Sequence, residues 1–154
     1  MKENIASKDV FETIGDGIFI ADLKGNLIEV NKSLIEMFGF RRNELLGKHI
    51  MDISNFDVPA FSDEYKTPLT LKLETEGYVK GYETQYTRKD GSVFFAELTV
   101  KSLLDSRGNI IHYLAVVRDI SERKVWEQKV KEKETFLRKI IHADPNLIFV
   151  KDRY

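Results

Sequence analysis

The residue types that carry most protein chemistry are few and scattered in this sequence. It contains no cysteine, and its three histidines stand far apart at His49, His112 and His142. A nucleophile needs a neighbouring base, and a metal site needs clustered ligands, so this spacing favours neither. The sequence also lacks a glycine-rich phosphate loop and a nucleophile elbow. These observations predict a protein that is not an enzyme and that binds no metal.

The polar residues of greatest interest follow a set of three strand-like runs in the second half of the chain. Residues 78–88, 93–104 and 109–120 alternate between apolar and polar side chains, which is typical of strands with one buried face. Gly91 and Gly108 lie in the short connections between them, where a positive φ is needed. Three consecutive antiparallel strands are therefore predicted.

The last of these strands changes directly into a charged, helix-prone run at Asp119-Ile120-Ser121. Ser121 can cap the helix, since its hydroxyl can accept a hydrogen bond from the first turn. Asp119 can pair with a nearby arginine, for which Arg88 and Arg123 are both candidates. An ordinary helix cap with a weak surface ion pair explains the same residues. We expect the function to depend on this junction, where the sheet passes directly into the helix.

The first half of the chain supplies a hairpin and several helices. Residues 17–22 and 27–30 are predicted strands joined by a glycine-containing turn. Asn31 is expected to cap a helix over residues 32–38. A further helix is predicted over residues 68–76, although its leucines at every second position also fit a strand.

The order of these motifs resembles that of PAS sensor domains. The motifs are Asp16-Gly-Ile-Phe-Ile-Ala-Asp-Leu-Lys-Gly25, Glu29-Val-Asn31, Gly39-Phe40, Glu44-Leu-Leu-Gly-Lys48, Arg88-Lys-Asp-Gly-Ser92 and Arg118-Asp-Ile-Ser121. The resemblance implies an α+β fold, with a five-stranded antiparallel sheet, helices on one face and a small pocket between them. It also implies a regulatory module of a multidomain signalling protein such as a sensor histidine kinase.

A second, shorter resemblance lies near the end of the chain. Leu147-Ile-Phe-Val-Lys-Asp152 repeats the pattern of Gly17-Ile-Phe-Ile-Ala-Asp22 and indicates the start of a second PAS repeat. The predicted organisation is a lead-in helix over residues 1–14, a PAS domain over 15–120, a signalling helix over 121–143 and a partial second repeat over 144–154.

Strand alternation and the resemblance together predict which side chains face the pocket. They are Phe19, Phe38, Tyr82, Thr84, Tyr86, Phe94, Ala96, Leu98, Ala115 and Val117. One interpretation is a closed aromatic core without a ligand. The other is a small apolar or aromatic ligand, for which the hydroxyls of Tyr82, Thr84 and Tyr86 supply the polar contacts.

The resemblance also bears on cofactors. Flavin-binding light sensors of this family use a reactive cysteine and polar side chains on three strands, whereas the corresponding positions here are Tyr86, Ala96 and Val117. Haem-binding members use a histidine on the helix at residues 68–76, which contains none. His49 is more simply interpreted as a surface or capping residue. The sequence therefore indicates no cofactor.

The helical run after Ser121 carries a seam of apolar residues at alternating steps of four and three. The seam consists of Trp126, Val130, Leu137 and Ile140, with Lys133 off the pattern. Such spacing is typical of a coiled coil and predicts a parallel homodimer. An amphipathic helix folded back on its own sheet is the alternative.

Composition limits the remaining possibilities. The net charge is −1, without a block of one sign, which argues against a nucleic-acid partner. The apolar runs are too short to cross a bilayer, so we expect a cytoplasmic protein without membrane contact in this segment. The predicted function is sensing or relay, with an effector domain in cis, of the histidine kinase or cyclic-dinucleotide class. A ligand-free dimerisation spacer is the alternative.

Overall fold

The computed structural model describes residues 2–53 and 68–143 of the chain. The chain divides into two compact units, Met1–Ile120 and Ser121–Tyr154. The predicted second repeat at residues 144–154 lies outside the described residues.

Six helices and five strands are described. In chain order they are α1 (Lys2–Thr13), β1 (Gly17–Ala21), β2 (Leu27–Val30), α2 (Lys32–Phe38), α3 (Arg42–Leu45), α4 (Ile50–Ile53), α5 (Pro68–Glu76), β3 (Tyr78–Thr87), β4 (Val93–Leu104), β5 (Ile110–Asp119) and α6 (Ser121–Ala143). The five strands form one sheet in the order β2-β1-β5-β4-β3, with every neighbouring pair antiparallel. The amino-terminal hairpin thus lies beside the last strand. The predicted α+β class and five-stranded antiparallel sheet are confirmed.

One face of the sheet is apolar and forms the core with helices α2–α5. Along β4, Phe94, Ala96, Leu98 and Val100 are buried, while the residues between them are more exposed. This alternation is expected, because successive strand side chains point to opposite faces. Helix residues such as Leu34 complete the same cluster.

Helix α1 differs from the other helices of this unit because it borders the opposite face. A shallow groove there is lined by Ser7, Lys8, Phe11, Ile20 and Glu29. Ile20 and Glu29 are cross-strand partners on the face that does not form the core. The lead-in helix α1 thus lies on the other side of the sheet from helices α2–α5.

Asn31 connects three elements at the start of α2. Its Oδ1 accepts hydrogen bonds from the backbone amides of Leu34 (3.0 Å) and Ile18 (2.8 Å). Its Nδ2 donates to the carbonyl oxygens of Phe11 (3.1 Å) and Asp16 (3.0 Å). The predicted cap on α2 is therefore present. The same side chain also ties α2 to β1 and to the end of α1.

The leucines at every second position of residues 68–76 fitted either a helix or a strand, and the structure has a helix, α5. Leu69 and Leu73, four residues apart, are buried in the core, whereas Leu71 between them is 50% exposed. Only one pair of these leucines therefore faces inward, at the spacing of a helix turn. Gly77 follows the helix with φ of 75°, a conformation that favours glycine.

Candidate functional site

Three aromatic rings form the centre of the predicted pocket. The Phe38 ring meets those of Tyr86 and Phe94 edge-on, with centroids 5.1 Å and 5.4 Å away. The Tyr86 and Phe94 rings stack with centroids 5.7 Å apart. Strand pairing brings two of these rings together, since Tyr86 lies opposite Phe94 in the β3–β4 register. Helix α2 adds Phe38 to the same cluster. Such geometries are favourable for aromatic pairs.

The structure brings the other predicted pocket residues to the same face. Eight of the ten candidates are buried: Phe19, Phe38, Tyr86, Phe94, Ala96, Leu98, Ala115 and Val117. Tyr82 and Thr84 are half-buried on β3, at the edge of the sheet, opposite Leu98 and Ala96. Two of the three polar groups predicted to contact a ligand thus lie at the border of the core, whereas the third, on Tyr86, is fully buried.

The chemistry of Tyr86 is that of a neutral phenol. Burial raises the pKa of its hydroxyl far above the usual value, and the nearby Tyr82 raises it further. The group therefore stays protonated at physiological pH and is available for hydrogen bonding only as a neutral hydroxyl. The same burial makes it unsuited to serve as a base.

The pocket residues do not fit a flavin of the light-sensing kind. The chain has no cysteine to form an adduct. Ala96 and Val117, at positions where such sensors carry polar side chains, are fully buried apolar residues. Neither can bond the polar edge of an isoalloxazine ring.

Two of the three histidines, His49 and His112, are positioned by other parts of the fold. His49 Nδ1 accepts a hydrogen bond from the Met51 amide (3.2 Å), and Nε2 lies 2.7 Å from the Lys24 carbonyl oxygen. Both nitrogens are thus engaged in holding the start of α4 to the β1–β2 turn. His112 lies opposite Leu103 in β5, away from the pocket face. Within residues 2–53 and 68–143, no three potential ligands group around a metal position.

Arg88 links the aromatic cluster to the end of β5. Its guanidinium lies over the Phe94 ring, 4.1 Å from the centroid. One of its nitrogens donates to Asp119 Oδ2 at 2.9 Å, and another lies 3.4 Å from the Met37 carbonyl oxygen. The predicted pairing of Arg88 with Asp119 is therefore present. Arg123 forms an ion pair with Glu127 inside α6.

The residues around Asp119 are shielded from solvent and bonded to the sheet. Both side chains of the Arg88–Asp119 pair are about two-thirds shielded from solvent, at 27% and 33% exposure. Ile120 is buried, and its amide donates to the Phe95 carbonyl at 2.9 Å. The residues directly before α6 are thus held by the sheet.

A second ion pair at the same end of β5 escaped the sequence analysis. Arg118 forms a two-pronged contact with Asp16, with distances of 3.1 Å and 2.8 Å. This hydrogen-bonded contact raises the pKa of Arg118. Asp16 lies in the connection between α1 and β1, 102 positions away in sequence, so no local pattern could reveal the pair.

Another unpredicted feature is a buried hydroxyl on β4. Ser102 is buried on the core face, opposite Tyr113, and its amide donates to the Gly77 carbonyl at 2.8 Å. Its Oγ has no hydrogen-bond partner among the described residues. The residue opposite Ser102, Tyr113, is affected by the same surroundings. Burial, and secondly the negative charge of Glu74, raises the pKa of its hydroxyl. The alternation of β4 places Ser102 inward, but the strand pattern alone gave no reason to single it out.

Helix α6, taken by itself, exposes three residues of its apolar seam, Trp126, Val130 and Leu137, while Ile140 is half-buried. None of its described side chains is buried, and Trp126 is 66% exposed. Phe136 and Ile141, which the seam prediction omitted, are exposed beside Leu137 and widen the apolar stripe. The heptad spacing could have predicted both residues, because their positions flank the seam.

No helix in the described part of the chain is long and apolar enough to cross a membrane.

Comparison with known proteins gives a consistent result. A family model described as "PAS domain" matches residues 15–122. A nitrogen fixation regulatory protein of Klebsiella oxytoca is 23% identical over 135 residues, which are 88% of this chain and 26% of that protein. Sporulation kinase E of Bacillus subtilis is 27% identical over 146 residues, which are 93% of this chain and 18% of the kinase.

Solved structures agree on the fold. The crystal structure of the PAS domain of an HTR-like protein from Haloarcula marismortui superimposes with a TM-score of 0.61 at 24% identity. The match covers 77% of this chain and 93% of that one. The chain spans only about a quarter or less of the length of these curated relatives.

Proposed function

The chain belongs to the PAS domain family, and we propose from this premise that it is a sensory and relay module of a cytosolic signal-transduction protein. A change in the aromatic pocket or in a homodimer interface would shift Asp119, Ile120 and Ser121 and thereby α6. An effector domain in cis, of the histidine kinase or cyclic-dinucleotide class, would respond. The relatives named as a regulatory protein and a kinase support this proposal.

The observation that carries the proposal is the position of Arg88. Its guanidinium rests on Phe94, a member of the aromatic cluster, and also holds Asp119, directly before the start of α6. A rearrangement of the aromatic cluster must move Phe94, and with it the Arg88 guanidinium that rests on its ring. The partly shielded ion pair then transfers that movement, because low local polarity strengthens the contact between the charges.

The ligand-dependent form of this function has a defined chemistry. The buried rings favour a small apolar or aromatic ligand, and the hydroxyls of Tyr82, Thr84 and Tyr86 can fix its orientation. The alternative is a ligand-free dimerisation spacer, which the filled contacts among Phe38, Tyr86 and Phe94 favour. Native mass spectrometry distinguishes the two: a retained small molecule supports the sensor, and a bare dimer favours relay by the interface or the spacer.

Removal of Arg88 tests the relay itself. In Arg88→Ala, amide hydrogen exchange in the first two turns of α6 is expected to accelerate roughly two- to tenfold, because a partly shielded ion pair and a cation–π contact are lost. The matched control is Lys89→Ala, which removes a neighbouring ion pair with Glu44 on the surface. This control should leave α6 unchanged. Equal rates of amide exchange in the unchanged protein, in Arg88→Ala and in Lys89→Ala would favour the ligand-free dimerisation spacer.

A further inference from the structure

The hydroxyl of Ser102 is the one buried side-chain group that the described part of the fold leaves without a hydrogen bond. Ser102 is only 6% exposed, and its Oγ has no partner among the described residues. Such groups are uncommon in folded proteins, because a buried polar atom loses its water and must be compensated by another contact. The hydroxyl therefore marks a place where a ligand group can form a hydrogen bond.

This hydroxyl lies far from the aromatic cluster. Residues 94 and 102 are eight positions apart on β4, which corresponds to about 27 Å along an extended strand. The buried side chains of Leu98 and Val100 lie between them on the same face. A small ligand cannot reach both ends of this face, so Ser102 is not part of the predicted aromatic pocket.

Three elements meet at the Ser102 end of the core. Tyr113 of β5 lies opposite Ser102 in the strand register, so both side chains are on the core face, where Tyr113 is half-buried. The Ser102 amide donates to the carbonyl oxygen of Gly77, directly after α5, at 2.8 Å. Leu73, one turn earlier in α5, is buried in the core. The carboxyl end of α5 therefore adjoins Ser102 and Tyr113.

The charge at this end of the core is negative. The last turn of α5 contains Glu74 and Glu76 and no basic residue. The carboxyl end of a helix already carries a partial negative charge, which two glutamates increase instead of compensating. The negative charge also reaches the core face, since burial and secondly the charge of Glu74 raise the pKa of the Tyr113 hydroxyl. A cationic group is therefore favoured here.

We propose that Ser102, Tyr113 and Glu74 form a second ligand site, which binds a small organic amine with an apolar body. The oxygens of Ser102 and Tyr113 accept hydrogen bonds from the ammonium group, and the Glu74 carboxylate supplies the opposite charge. The apolar body packs against the core beside Leu73 and Val100. This inference goes beyond the proposed relay, because it requires neither the aromatic cluster nor Arg88.

The same features disfavour other classes of ligand. A carboxylate or phosphate would approach Glu74, Glu76 and the negative end of α5 without a basic residue in the last turn to receive it. A metal ion would find too few ligands, since no three potential metal-ligating side chains group together in residues 2–53 and 68–143. An organic amine fits both the hydroxyls and the charge.

Three probes that share a phenyl ring and differ in the charge of their polar group test the chemical class. They are 2-phenylethylamine, 2-phenylethanol and 3-phenylpropionate, each titrated into the full chain while amide NMR shifts are recorded. The amine should give saturable shifts at Gly77, Ser102 and Tyr113, with a dissociation constant of about 1 mM for so small a molecule. The alcohol should bind about three- to tenfold more weakly, and the acid more weakly still.

Substitutions in the site test which residues hold the amine. Ser102→Ala should weaken amine binding about three- to tenfold, because one hydrogen bond is lost. It should not lower the free energy of unfolding, since Oγ has no partner among the described residues. Glu74→Gln should bring the affinities for the amine and the alcohol within about twofold of each other. The control, Thr99→Val, removes a hydroxyl from the opposite face of β4 and should leave binding unchanged.

Three outcomes would overturn the inference. They are the absence of saturable shifts with the amine up to about 20 mM, equal affinity for the three probes, and unchanged amine binding in Ser102→Ala. Shifts confined to Tyr86 and Phe94 would also overturn it, because they would place the amine in the aromatic cluster. The exchange response to Arg88→Ala is measured without any probe, so the relay stands or fails separately.

Discussion

Replacement of Asn31 by alanine is expected to lower the free energy of unfolding by about 3–4 kcal/mol, the sum of a lost helix cap and of buried groups left unbonded. Alanine removes the acceptor of the Ile18 and Leu34 amides and the donor to two carbonyl oxygens. Because Asn31 is fully buried, water cannot readily replace these partners. Urea denaturation monitored by circular dichroism measures the change.

The control for this substitution is Asn43→Ala, at an exposed position of α3. Surface replacements of this kind change stability by about 0.5 kcal/mol or less. A loss below about 1 kcal/mol in Asn31→Ala would contradict the structural role given to Asn31, since one net hydrogen bond alone contributes about that much.

The second large effect is expected at Phe94. Phe94→Ala should lower the free energy of unfolding by about 3–5 kcal/mol, because a buried aromatic ring is replaced by a cavity. The same change removes the surface on which the Arg88 guanidinium rests. Amide hydrogen exchange at the start of α6 should therefore accelerate by more than the loss of global stability alone would cause.

Phe95→Ala is a closely matched control, since it is the next residue on the same strand but lies on the opposite face and is 39% exposed. Its expected cost is about 1 kcal/mol, in proportion to the smaller apolar area that it buries. Similar losses in the two variants, measured by urea denaturation, would contradict the assignment of the core to the Phe94 face.

Local features of the fold were predictable because short-range chemistry determines them. Asn31 was expected to cap α2 because its side chain can reach the amide of Leu34. Gly108 was expected to turn the chain, and its φ of 84° suits glycine. The alternation of β4 likewise identified the buried face, since it depends on backbone geometry alone.

Other features depend on contacts between distant positions and could not be predicted. Residues 88 and 119 meet because β3, β4 and β5 are neighbours in one register, which is why sequence left Arg88 and Arg123 as equal candidates. The Asp16–Arg118 ion pair likewise joins residues that are far apart in the sequence and meet only in the fold. The helix α5 was predicted, but its leucines left a strand as an alternative, because the exposed Leu71 adds a period of two.

The residues flanking the α6 seam are an intermediate case. Phe136 and Ile141 are visible in the sequence, and their positions follow from the heptad once Trp126 and Leu137 are assigned. The seam prediction considered only the a and d positions and so omitted them. Orientation depends on the e and g positions, which therefore carry the additional information.

The most direct test of the relay is a double-mutant cycle on the Arg88–Asp119 pair, with hydrogen exchange in the first two turns of α6 as the measurement. Asp119→Asn also removes a negative charge next to the amino end of α6, so the cycle isolates the pair better than either single variant. The expected result is that Arg88→Ala and Asp119→Asn each accelerate exchange, while the double variant exceeds the larger single effect only slightly. Strictly additive effects, or an α6 that responds to neither change, would contradict a relay through this pair.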